Sequence, residues 1–163
     1  MVRAQTGDFI FSIDIDPAFG NALSVVIKQE NHTDSIDFLI RKDFRDSSGN
    51  YHLKKPIPEL QLIELTNCLS KYQFEVRGND EVTSQHLNIN GRDSIVNLHK
   101  VMTDGAVTSG EFIREGNSSK FQFYFVHEED KRLLVLLFDI LHKTFKDKES
   151  VKYINGFKGE ALN

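Results

Sequence analysis

The sequence predicts an α+β protein made of two tandem β-β-β-β-α repeats, with antiparallel sheets and helices packed on one side. Three observations carry that expectation. Apolar residues alternate with polar ones in short runs, the period of a half-buried strand. Two later segments carry leucines at steps of three and four, the period of an amphipathic helix. The order of these segments recurs after about 70 residues.

The first alternating run places Phe9, Phe11, Ile13 and Ile15 on one side and Ser12, Asp14 and Asp16 on the other. Leu23, Val25 and Ile27 repeat it, as do Ile36, Phe38 and Ile40. Pro17 to Gly20 and Asn31 to Asp34 supply turn compositions between them. Asp46-Ser47-Ser48-Gly49-Asn50 reads as a hairpin turn into a short strand, Tyr51 to Lys55, which Pro56 and Pro58 stop. Pro58 suits a helix first turn, and Leu62, Leu65, Leu69 and Tyr72 continue the stripe. The second half predicts strands at Gln85 to Asn90, Ser94 to Met102, Gly110 to Glu115 and Lys120 to Val126, with Gly91-Arg92 as a turn. A helix follows from Glu128, where Glu128, Glu129 and Asp130 complement the helix dipole; its stripe is Leu134, Leu137, Leu141 and Phe145. The expected organisation is one domain over residues 1–146, from repeats at about 8–72 and 73–146, then a polar tail over 147–163 anchored only by Tyr153, Ile154 and Phe157.

A chain of 163 residues buries roughly 70% of its unfolded surface and needs neither metal nor disulfide for a core. Hydrophobic residues at 39% and charged ones at 27% exclude a disordered chain, and a single cysteine excludes a disulfide framework. The longest apolar run, Leu133 to Phe138, is far short of a membrane span. The first eight residues carry no signal-peptide core, so the expected place is the cytoplasm, nucleoid or nucleus. Twenty basic against 24 acidic residues leave a net charge of −4, which argues against a duplex-coating protein, whose affinity comes from many cation–phosphate contacts. Divided after Asp80, the halves hold 9 basic and 12 acidic, then 11 basic and 12 acidic residues, so only local pattern is informative.

The strongest local pattern lies in residues 38–55. Arg41, Lys42, Arg45, Lys54 and Lys55 stand against Asp43 and Asp46, interleaved with Phe44, Tyr51 and His52. Cations that track phosphates and flat rings on which bases stack are what single-strand binding needs. The second hairpin offers Arg114, Lys120 and Tyr124, while Phe121, Phe123 and Phe125 share the core side. The alternative reading of the first cluster is a solvated hairpin whose Lys and Arg guard an edge strand against pairing, and that of Tyr124 is packing at an interface between subunits.

The run from Arg41 through Ser47-Ser48-Gly49-Asn50 to Lys54-Lys55-Pro56-Ile57-Pro58, set in a duplicated strand-and-helix order, resembles the Whirly and Pur-alpha group of single-stranded nucleic-acid-binding proteins. One unit looks like the C-terminal domain of the transcriptional coactivator positive cofactor four. The topological likeness covers about residues 8–146 and the motif likeness about 38–72. The resemblance implies single-stranded DNA or RNA as partner, dimeric or tetrameric assembly, and a role in transcription regulation, replication or RNA handling. The lysine-rich DNA-contact motif of plant Whirly proteins is absent here.

Catalysis has no constellation behind it. Asp14 and Asp16 share a strand face without a third ligand, and the six histidines form no metal-binding spacing. Gly105 and Gly110 have the spacing of a phosphate loop, but Glu111 stands where its lysine belongs. Cys68, flanked by Leu65 and Leu69, reads as a buried thiol. The expectation is therefore a non-enzymatic protein without metal or cofactor, binding single strands on its sheet surface. The rival is a protein-interaction module or oligomeric scaffold that touches no nucleic acid.

Overall fold

The computed structural model describes residues 8–18, 20–30, 33–43, 48–89, 91–102 and 105–162. Among these residues, eight strands and three helices run in the order β1 (Phe9–Asp16), β2 (Ala22–Glu30), β3 (Thr33–Arg41), β4 (Tyr51–Pro56), α1 (Glu59–Leu69), β5 (Asp80–Ile89), β6 (Arg92–Val101), β7 (Val107–Arg114), β8 (Asn117–Phe123), α2 (Glu128–Thr144) and α3 (Lys148–Leu162).

Six strands form one antiparallel sheet in the order β4-β3-β2-β1-β7-β8. The register follows the alternation. Phe11 faces Ile27 on one neighbour and Phe112 on the other, so the apolar residues of β1 continue apolar rows in both directions. Phe9, Phe11, Ile13 and Ile15 are at most 2% exposed. The three helices cover this face, with α2 packed against both α1 and α3. Leu133, Leu134, Leu137, Phe138, Ile140 and Leu141 form the buried stripe of α2, and each would cost about 2–5 kcal/mol if cut to alanine. No helix among the described residues is long and apolar enough to cross a membrane.

The α+β class, the antiparallel pairing and the one-sided helices match the expectation; the tandem arrangement does not appear. Among the described residues, the strands expected to open a second repeat, β5 and β6, pair only with each other, while β7 and β8 extend the first sheet through β1. The cause is in their patterning. Register puts Val82, Ile95 and Val101 on one face of the β5–β6 hairpin and Leu87, Val96 and Leu98 on the other. Neither face is apolar enough to lie on the helix layer. A second correction concerns residues 147–163, expected as a polar tail: residues 148–162 form α3, which buries Ile154, Phe157 and Ala161 at helical spacing.

Two local features fix the β7–β8 hairpin. A side chain at Gly110 would collide with the Ser12 carbonyl and the Phe121 ring, so only glycine lets β7 lie against β1 there. The two-residue turn Glu115-Gly116 has φ of 52° and 80°, the twist-compatible form that joins Arg114 to its partner Asn117.

Candidate interaction surfaces

The uncovered face of the sheet is where a polynucleotide was expected. Register brings Arg41, His52, Lys54 and Lys120 onto it, with Lys28. The same face also holds Asp14, Asp16, Asp37, Glu111 and Glu30. Arg41 reaches Asp14 at 3.4 Å, and Lys54 and His52 converge on Asp37 at 3.6 and 3.2 Å. Lys120 lies 3.9 Å from Glu111. Among the described residues, carboxylates thus outnumber lysine and arginine on this face.

Four other expected site residues point away from it. Tyr51 and Lys55 belong to the helix side of β4, opposite Ile40 and Ile36. The Tyr51 hydroxyl donates to Asp147 at 2.9 Å and lies 3.0 Å from the Ser150 hydroxyl, and its ring packs 5.5 Å from Tyr153. Burial first, then the Asp147 charge, pushes the Tyr51 phenol up, while the Ser150 hydroxyl pulls it down. Lys55 donates to the Thr144 carbonyl at 3.3 Å and lies over the Phe145 ring. Lys42 donates to the Tyr153 hydroxyl. These three side chains hold α3 and the end of α2 against the sheet. Arg114, opposite Phe9 on the helix side of β7, pairs with Glu115 at 3.8 Å. Phe44 and Arg45 lie outside the described residues.

Sequence reasoning missed the β5–β6 arm as a surface. Val82, Ile95, Leu98 and Val101 are 54%, 65%, 46% and 56% exposed, an unusual concentration for one hairpin. Their separation onto two faces was legible in the spacing, but only pairing register shows that neither face is covered.

The arm is pinned at its root. The segment before it bridges to β8, with the Arg77 N–H donating to the Gln122 carbonyl at 2.8 Å. The Arg77 guanidinium donates to the buried Asp130 carboxylate, which also accepts from the Tyr72 hydroxyl at 2.7 Å and the His127 N–H at 2.8 Å. Burial first, then Asp130, drives the Tyr72 phenol far above its ordinary range, so it stays a donor. Arg77 also donates to Nδ1 of His127. The Nε2 of the same ring lies 2.6 Å from Glu81 Oε1. Both ring nitrogens are therefore engaged by neighbouring side chains.

A cleft of about 470 Å³ separates the arm root from the body, lined by Glu81, Lys100, Tyr124, Phe125, His127 and Lys131 among others. Lys100 lies 4.5 Å over the Phe125 ring, so part of the cleft wall is already self-satisfied. Tyr124, expected on the binding surface, is half-buried here instead. Among the described residues no group of three or more metal-ligating side chains occurs. Comparison with protein-family models, curated proteins and solved structures finds no match for this chain.

Proposed function

We propose that this protein is a non-enzymatic interaction module that assembles with copies of itself through the β5–β6 arm. The observation that carries this reading is the arm's exposed aliphatic surface on both faces. An isolated two-stranded hairpin is marginal in water, and covering each half-exposed aliphatic side chain stabilises by about 1 kcal/mol. Such an arm needs cover continuously, and a second copy is the partner present at matching amount wherever the chain is made. The β6 edge is also self-complementary. Antiparallel pairing about Asn97 sets Val96 against Leu98 of the second copy, Ile95 against His99 and Ser94 against Lys100, with no like charges opposed. The outer sheet face supports a polynucleotide platform less well, because its cations are matched by carboxylates.

Sedimentation velocity over about 1–100 µM tests the reading, a range that spans micromolar association. Wild type is expected to dimerise, and Leu98→Lys or Asn97→Pro to remain monomeric with an unchanged far-UV spectrum. A monomeric wild type at the top of the series, or a folded Leu98→Lys that still assembles, overturns it.

A further inference from the structure

A cationic corner lies beside β4, the edge of the six-stranded sheet opposite β8, to which the arm root is bridged. Lys143 and Lys146 bracket Phe145 at the end of α2, and Lys148 and Lys152 stand one turn apart at the start of α3. All four are exposed, and none has a carboxylate within ion-pair distance among the described residues. The fold brings strand β4 against this junction. Lys55 touches the Thr144 carbonyl and the Phe145 ring, and Tyr51 bonds Asp147 and Ser150. The junction also holds two exposed carboxylates, Glu149 and Asp147, the latter accepting from the Ser150 N–H, the Ser150 hydroxyl and Tyr51, so the four lysines exceed them by two. In a chain of net charge −4, this is a local reversal of sign.

We infer that this corner binds the phosphodiester backbone of a single-stranded nucleic acid. Two features favour a phosphate polymer over an acidic protein. None of the exposed large apolar side chains lies in residues 142–153 or on β4, so the corner lacks the aliphatic anchor around which a protein interface is built, and without an exposed ring for base stacking its hold on a strand would be through phosphates alone. The cations are all lysines, flexible point charges suited to sequence-independent phosphate contact rather than to paired recognition of one carboxylate. Lys148 and Lys152, four residues apart on a helix, carry Cβ atoms about 5–6 Å apart, close enough to serve successive charges of one strand. The surface is separate from the arm, so the inference stands or falls independently of self-assembly.

Fluorescence anisotropy with labelled single-stranded DNA and RNA oligonucleotides, using the full chain, is the test. Four lysine–phosphate contacts predict that affinity falls roughly 50-fold between about 50 and 200 mM salt. Lys148→Gln/Lys152→Gln and Lys143→Gln/Lys146→Gln are each expected to weaken binding at least tenfold at low salt, and Leu98→Lys in the arm to leave it unchanged. Binding of either oligonucleotide with these responses supports the inference. No binding at low salt, affinity indifferent to both double substitutions, or equal competition by polyglutamate overturns it.

Discussion

The guanidinium of Arg77 is ion-paired with the Asp130 carboxylate, whose side chain is only 3% exposed. One connects the arm to β8 and the other sits in the first turn of α2, so a single charge pair joins three parts of the fold. Removing one partner would leave a desolvated charge without compensation. Arg77→Ala is expected to cost about 3–5 kcal/mol in urea denaturation, whereas Arg77→Met with Asp130→Leu should cost clearly less. An Arg77→Ala loss below about 1 kcal/mol would mean that water reaches Asp130 and takes over the guanidinium's role.

Asp147 caps α3, accepting from the Ser150 N–H at 2.9 Å and the Ser150 hydroxyl at 2.7 Å. These bonds, with the Tyr51 hydroxyl, hold its carboxyl down at about 2. A depressed carboxyl contributes stability above its ordinary value near 4, and that contribution fades as pH falls toward 2. Asp147→Ala should therefore cost about 1 kcal/mol at neutral pH. Thermal melts of variant and wild type should converge in acid; a gap that persists at about pH 2 would place the stabilisation in something other than the charged cap.

Gly110→Ala forces a methyl against the Ser12 carbonyl and the Phe121 ring, both inside the sheet. A loss of about 1–3 kcal/mol is expected by chemical denaturation. Wild-type stability in this variant would show that β7 can shift away from β1 at no cost.

Glu115 adopts a φ of 52°, where a side chain of its kind is disfavoured and asparagine is tolerated. Glu115→Asn is expected to raise stability by about 0.5–1 kcal/mol and the melting temperature by a few degrees. An unchanged or lower melting temperature would indicate that the Arg114–Glu115 pair outweighs the turn preference.

The first four strands and the first two helices were readable from the chain because their apolar residues repeat at one clean period. What periodicity does not encode is which strands become neighbours. The alternation in Phe9 to Ile15 suits a partner on either side, and nothing local reveals that β7 takes the second edge. Helix α3 was hidden for a different reason. Ile154, Phe157 and Ala161 have helical spacing, but Gly156 and Gly159 between them each lower helix propensity by about 1 kcal/mol, a cost that packing against β4 and α2 offsets. The basic cluster at residues 41–55 was visible as composition. Its neutralisation was not, because Asp14 meets Arg41 from a strand 27 residues away, and Lys42 and Lys55 turn toward helices some 90 residues or more downstream.

The seat of β1 between β2 and β7 has a temporal consequence. During synthesis one border of β1 stays unsatisfied until residues near Val107 have emerged, roughly a hundred positions later. Until then a ribbon of free amides beside Phe9, Phe11 and Ile13 is open to adhesion by other nascent chains. Maturation of this protein should accordingly be slow and chaperone-sensitive, and any fragment that stops before β7 should precipitate rather than persist.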